Sequence, residues 1–160
     1  MTQAALPSRT LWFVIWTAMT AAPVVYLIVA LQVARSVVAA DPGALKPILQ
    51  GYALVALLAG LVVVVRAPRI RADVPLPMAL FGGDAPAEPP HFMRATIVGM
   101  AMLEACAITG FVLVFLGAPV TQYMVHGGAT VAASLLVALP TGLRYWGERD
   151  SDTSGIRPIE

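Results

Sequence analysis

Four long apolar runs, separated by shorter polar segments, dominate the hydropathy pattern of this chain. They carry no charged residue except Glu104, and they cover residues 10–34, 47–65, 95–117 and 119–143. Each run can cross a hydrocarbon core of about 30 Å, which needs about 20 helical residues. The pattern therefore predicts an all-α fold, an integral membrane bundle of four transmembrane helices.

The third and fourth runs are almost continuous, and a turn is predicted between them. Gly117 can adopt a positive φ, and Pro119 cannot continue a helix that precedes it. We therefore expect a tight hairpin of two antiparallel helices around residue 118. The first run is longer than the roughly 7 to 15 apolar residues of a secretory signal, so we interpret it as a span rather than as a cleaved leader.

Composition agrees with a membrane protein. Hydrophobic residues make up 59% of the 160 residues and charged residues 12%, whereas a soluble domain carries roughly 25% charged residues. Residues 1–144 are predicted to form one transmembrane domain, which leaves no room for a separate soluble core. Residues 145–160 are polar and are predicted to be a disordered tail. The proline-rich loop at 66–93 is expected to be extended.

The distribution of basic residues predicts the orientation. Eight arginines lie in the N-terminal tail, the second loop and the C-terminal tail, whereas only Arg35 and Lys46 lie on the other side. By the positive-inside rule, both termini are then cytoplasmic. We expect a multi-pass protein of a bacterial inner (cytoplasmic) membrane. Aromatic residues suited to the membrane surface fall on the same side, namely Trp12, Trp16, Tyr145 and Trp146.

The second loop begins with three closely spaced arginines, Arg66, Arg69 and Arg71, at the predicted membrane surface. Such a cluster can bind anionic lipid headgroups, at about 1 kcal/mol per basic residue near the surface. It also serves as an ordinary orientation signal. The sequence favours the second interpretation and leaves the first open.

Several function classes find no support in the sequence. It has one cysteine, Cys106, and two histidines, His91 and His126, without the spacing of a metal site or a disulfide. No catalytic motif or phosphate-binding loop is present, so we predict neither an enzyme nor a cofactor. The formal net charge of +1 gives no basis for nucleic-acid binding.

Glu104 is the main candidate for a functional residue. A charged side chain at mid-membrane costs roughly 2.5 to 3.5 kcal/mol on insertion scales, so such residues are usually functional. Because burial disfavours the anion, we expect a protonated carboxyl at rest.

The predicted hairpin brings Glu104 level with about residue 132 of the fourth run. Tyr123, His126, Thr130 and Ser134 recur there at helical spacing and form a polar stripe. Thr130 and Ser134 lie within about one turn of the level of Glu104 and are predicted to hydrogen-bond its carboxyl. His126 lies on the order of 9 Å away along the axis, within reach through a chain of water molecules.

A family resemblance involves the same helix. The segment GMAMLEACAITGFVLVFL, from Gly99 to Leu116, resembles the carboxylate-bearing helix of the c-type proteolipids of rotary ATP synthases and ATPases. In those proteins the carboxylate is followed by alanine, then by isoleucine three positions after that alanine, and by glycine two positions further on. Glu104, Ala105, Ile108 and Gly110 reproduce this spacing. The resemblance implies that Glu104 binds a proton or another ion. It also implies that the four spans form two c-like helical hairpins.

Two functions remain open at this point. The chain is either a structural or accessory subunit of a membrane complex, with Glu104 as a buried, protonatable interhelical residue, or a c-like proteolipid that binds or translocates protons at Glu104. In both cases its expected partners are the lipid bilayer and other membrane subunits or further copies of itself. A transporter with its own substrate pocket ranks third, because the spans contain only one ionisable acid and the sequence shows no pair of broken helices.

Overall fold

The computed structural model of the protein describes residues 8–36, 42–69 and 87–154. Within these ranges the chain is helical and contains no β-strand. The helices are α1 (Ser8–Val33), α2 (Leu45–Arg66), α3 (Pro89–Phe115), α4 (Val120–Ala133) and α5 (Leu139–Ser154). A 3₁₀ turn at Ala67–Arg69 follows α2, and a π-helical segment at Ser134–Ala138 joins α4 to α5.

Four helical segments are long and apolar enough to cross a membrane, namely Arg9–Val33, Leu45–Arg69, Pro89–Phe115 and Val120–Arg149. They correspond to the four apolar runs of the sequence. The prediction of an all-α bundle of four membrane-spanning helices is thus confirmed.

The hairpin between α3 and α4 forms as the sequence predicts. Gly117 has a φ of 92°, a value that favours glycine because it lacks a Cβ atom. Pro119 then precedes the first residue of α4 in an extended conformation. The short turn places the two helices side by side and antiparallel.

The C-terminal helix continues beyond the predicted end of the transmembrane domain. Residues 145–160 were expected to be disordered, but α5 runs to Ser154, and only 155–160 fall outside the described residues. Tyr145 and Trp146 explain the difference, because both are buried and packing of these rings offsets the entropy cost of an ordered helix. The prediction is wrong for 145–154.

The π-helical segment ends two residues before Pro140 and compensates for it. Proline lacks an N–H group, and its ring clashes with the carbonyl four residues earlier. In the wider turn, the N–H of Leu139 donates to the carbonyl of Ser134, five residues back. The helix from Val120 to Ser154 therefore remains continuous despite an internal proline.

Helix α3 lies at the centre of the bundle and contacts each of the other spans. Helix α1 packs against α3 and α4, whereas α2 packs mainly against α3, and α1 and α2 do not pack closely together. The approach of α2 to α3 is closest at two glycines. A Cβ atom on Gly60 would lie 2.8 Å from the carbonyl oxygen of Gly99, and one on Gly99 would lie 2.6 Å from a methyl group of Val64.

An aromatic cluster closes the end of the bundle that contains the start of α1, the start of α3 and the end of α5. Trp12, Phe92, Tyr145 and Trp146 are all buried there, and the rings of Phe92 and Tyr145 stack with centroids 3.8 Å apart. The Tyr145 hydroxyl donates to the carbonyl of Ala87, at 2.8 Å. The aromatic side chains predicted at one membrane surface therefore do share one end of the bundle.

Candidate functional site

Glu104 lies midway along α3 and faces α1 rather than α4. The hydroxyl of Tyr26, on α1, donates a hydrogen bond to its Oε1 atom at 2.7 Å. The ring of Tyr26 also packs against Phe111, with centroids 5.6 Å apart. Among the described residues, Tyr26 is the hydrogen-bond partner of the Glu104 carboxyl. This bond ties the first span to the third.

The carboxyl lies at the edge of an outward-facing surface. Ile97 lies seven residues before Glu104, and Ile108 and Phe115 lie four and eleven residues after it. These spacings place all three on the same face of the helix as Glu104. All three are exposed, by 38%, 43% and 49% of their surface. Glu104 itself is only partly buried. One side of its carboxyl is therefore covered by Tyr26, and the other lies next to an apolar surface stripe, here defined as Ile97, Ile108 and Phe115.

The two hydroxyl groups predicted to bind Glu104 have other partners. The Thr130 hydroxyl shares its single proton between the carbonyls of Leu103 and His126, at 2.9 and 3.1 Å. The Ser134 hydroxyl pairs with the hydroxyl of Thr20 on α1, at 2.5 Å. The structure thus brings Thr130 next to Leu103 of α3, the residue that precedes Glu104. It bonds neither the Thr130 nor the Ser134 side chain to the Glu104 carboxyl.

His126 bonds to its own helix. It is buried, and its Nδ1 atom lies 2.7 Å from the carbonyl of Gln122, so this nitrogen carries the proton because the carbonyl can only accept. A Cβ atom on Gly110 of α3 would lie 2.6 Å from the Cβ of His126. His126 therefore forms part of the tight contact between α3 and α4, and no contact in the described residues links it to Glu104.

The predicted polar stripe of the fourth span faces inwards. Tyr123, His126, Thr130 and Ser134 are all buried. In a membrane this is the expected orientation, because lipid offers no hydrogen-bond partners. The hydrogen bonds of these four side chains go to backbone carbonyls, to Thr20 of α1 and to the sulfur of Met100 on α3.

Sequence reasoning missed the polar face of α1. Trp16 donates from Nε1 to the carbonyl of Ser134 at 3.4 Å, Thr20 pairs with Ser134, and the Tyr123 hydroxyl donates to the carbonyl of Pro23. Trp16, Thr20, Pro23 and Tyr26 recur at steps of four, three and three, which is the spacing of one helix face. That periodicity was a signal that the first span packs with this face against the hairpin.

The arginine cluster after α2 is described in part. Arg66 and Arg69 are both exposed, and Arg71 lies outside the described residues. Arg69 lines a groove of about 420 Å³ together with Arg144, Tyr145 and Glu148 of α5. The groove places side chains from two separate helices around one space.

Comparisons with protein-family models, with curated proteins and with solved structures find no match to this chain. No group of three histidine, cysteine, aspartate or glutamate side chains that could hold a metal ion occurs in the described ranges. Function must therefore be inferred from the residues of the chain itself.

Proposed function

We propose that this protein is a structural or accessory subunit of a membrane complex, in which Glu104 is a protonatable residue that joins helices. The observation that carries the proposal is the half-covered carboxyl. Glu104 receives one hydrogen bond from Tyr26 and lies beside the apolar surface stripe at mid-span. A neighbouring helix packed on that stripe would complete its surroundings.

The energetic argument concerns the unused hydrogen-bonding capacity of the carboxyl. A protonated carboxyl offers one donor and further acceptor sites, and an ionised one offers about four acceptor sites. Tyr26 uses one of them. Lipid tails satisfy none of the others, and each unsatisfied polar group in the bilayer core costs several kcal/mol. A polar side chain from another subunit would remove part of that cost, which favours association at this face.

Site-specific photo-crosslinking in native membranes tests the proposal. A photoreactive amino acid replaces Ile108 on the stripe or, as the control, Val55, which is 65% exposed on α2. We expect a protein adduct, identified by mass spectrometry, from position 108 and lipid adducts alone from position 55. Lipid adducts alone from both positions would contradict the proposal.

A second function is favoured by the same position of Glu104 at the outer edge of the bundle. A carboxyl that touches lipid on one side and a tyrosine hydroxyl on the other could take up and release a proton as its surroundings change. This is the c-like proteolipid function that the resemblance of residues 99–116 implies. It requires that the carboxyl be reachable from the lipid phase.

A hydrophobic carbodiimide separates the two functions, because it reacts with protonated carboxyls that are accessible from lipid. Proton binding at an exposed Glu104 predicts labelling that increases as the pH falls and that disappears in Glu104→Gln. A partner helix over the stripe predicts weak labelling in native membranes and stronger labelling after purification in detergent. Glu104→Gln should keep assembly intact, because the amide retains a donor and an acceptor.

A further inference from the structure

A groove at the end of the bundle bears charged residues that the proposed function does not use. It lies between the C-terminal end of α2, with the 3₁₀ turn that follows, and one face of α5. Its volume is about 420 Å³, and its polar lining comprises Arg69, Thr141, Arg144, Tyr145 and Glu148. We propose that this groove binds the phosphodiester headgroup of a phospholipid with one negative charge, such as phosphatidylglycerol.

The two arginines make a suitable site for a phosphate group. Arg69 comes from the turn after α2 and Arg144 from α5, and both side chains are exposed. Within the part of the chain that the structure describes, neither has an ion-pair or hydrogen-bond partner. A guanidinium group offers a planar fork of donors that matches two phosphate oxygens. Two forks facing one space can therefore bind a single phosphodiester from both sides.

Glu148 restricts which headgroup fits. Two arginines and one glutamate leave a lining with one net positive charge, so a headgroup with a single negative charge neutralises it. The Glu148 carboxylate can accept hydrogen bonds from the hydroxyl groups of a glycerol headgroup. A headgroup with several phosphates would bring additional negative charge next to this carboxylate. The lining therefore favours a phosphoglycerol group over a polyphosphorylated one.

The surface beneath the groove favours a lipid over a free phosphate compound. Val65 lines the groove, and Leu58 and Val62 lie on the same face of α2, seven and three residues earlier. All three are more than half exposed, at 53%, 52% and 55% for Leu58, Val62 and Val65. An acyl chain can lie along this apolar face while the headgroup occupies the groove. A soluble phosphate compound would make no use of it.

Native mass spectrometry of the full chain, released from detergent with added phosphatidylglycerol, tests the proposal. The retained lipid is compared for the unchanged protein and for Arg69→Gln, Arg144→Gln and Arg94→Gln. Arg94 is exposed, belongs to the predicted cytoplasmic side and lies outside the groove, so it is a matched control for general surface charge. We expect Arg69→Gln and Arg144→Gln each to lower the apparent affinity about tenfold, as for a lost hydrogen bond to a charged group. Arg94→Gln should change it less than about twofold.

Three outcomes would overturn the proposal. Equal losses in all three variants would show attraction by surface charge alone. Equal retention of phosphatidylcholine and phosphatidylglycerol by the unchanged protein would show that the groove does not select a headgroup. Competition by soluble glycerol phosphate at the same concentration as the lipid would identify a phosphate site without a role for the acyl chains. Because the substituted side chains are exposed, an unchanged melting temperature for each variant checks that folding is preserved.

Discussion

Tyr26 is the residue that makes the position of Glu104 in α3 tolerable. Its hydroxyl supplies a hydrogen bond at 2.7 Å, and its ring lies against Phe111, so the phenol is held in place by packing. A tyrosine suits this position because its apolar ring can face lipid while its hydroxyl bonds to a polar group. The pair is a polar contact between helices in a region where the solvent cannot provide one.

Replacement of Tyr26 by phenylalanine should destabilise the protein by about 0.6 to 2 kcal/mol, the range for an interhelical hydrogen bond in a membrane. The ring and its packing remain, so the loss reports the hydroxyl alone. Unfolding in mixed detergent micelles measures the free energy. Tyr52→Phe is the control, because Tyr52 is 59% exposed on α2. Equal effects of the two substitutions would show that the Tyr26 bond contributes nothing.

The sequence allowed Glu104 and the buried stripe of the fourth span to be identified, but not the partner of Glu104. Thr130 and Ser134 were expected to reach the carboxyl because the hairpin places them at its level. Their level along the membrane correctly indicated that Thr130 lies close to residue 104. The sequence did not indicate that Glu104 faces α1 rather than α4. Lipid is as apolar as leucine, so the apolar residues of α3 do not distinguish the side of this helix that faces α1 from the side that faces lipid.

At the scale of helices, Gly60 and Gly99 set the distance between α2 and α3. Neither position has space for a side chain: a Cβ atom on Gly60 would lie 2.9 Å from two carbon atoms of Leu103. Leu103 is fully buried and has little freedom to move. Packing of small residues against a neighbouring backbone is a common way to join membrane helices.

Gly60→Ala should therefore cost about 1 to 3 kcal/mol, the typical penalty for an overpacked core. Gly51→Ala, on the same helix, is the matched control, because a Cβ atom there meets nothing within 4 Å. The control should be neutral or stabilising by up to about 1 kcal/mol, since alanine favours helix more than glycine does. Thermal unfolding in detergent compares the two. A stable Gly60→Ala protein would mean that α2 can move away from α3 at no cost.

The turn between α3 and α4 depends on the backbone conformation of Gly117. An alanine at a φ of 92° is strained, and we expect Gly117→Ala to cost about 1 to 2 kcal/mol. Gly128→Ala on α4 serves for comparison, because nothing lies within 4 Å of a Cβ atom there and the backbone is helical. Melting temperatures of the two variants in one detergent provide the measurement. The same loss in both would remove the special role of the turn conformation.

At the scale of the whole molecule, the aromatic cluster of Trp12, Phe92, Tyr145 and Trp146 packs three helices together at one end of the bundle. It joins the first span, the third span and the C-terminal helix, and it explains why α5 is ordered beyond the apolar run. Charged and small residues after residue 146 suggested disorder because composition alone reports the average polarity of a segment. The two buried rings at its start decide the outcome instead.

A chain that ends after Arg144 should lose stability by at least about 3 kcal/mol, since it lacks the rings of Tyr145 and Trp146 and the hydrogen bond to Ala87. A chain that ends after Ser154 should match the full protein. Both are compared by unfolding in detergent and by their yield from membranes. Equal stability of the two shortened chains would show that residues 145–154 do not stabilise the bundle, as expected for a disordered tail.

The number of spans, their positions and the hairpin turn followed from the sequence because they depend on local properties, namely apolar length, glycine and proline. The arrangement of the helices around α3 did not follow. It depends on contacts such as Gly60 with Gly99 and Trp16 with Ser134, each between residues far apart in the chain. The orientation in the membrane remains a prediction from the basic residues.

Pro68 and Ala87, which lie on either side of residues 70–86 in the second loop, are joined by a hydrogen bond. The N–H of Ala87 donates to the carbonyl of Pro68 at 2.7 Å, and Tyr145 bonds to Ala87 from the other side. The spans on either side of the loop also pack directly against each other, α2 against α3. Two pieces of the chain produced by a cut within 70–86 should therefore stay associated in the membrane through the contacts between α2 and α3.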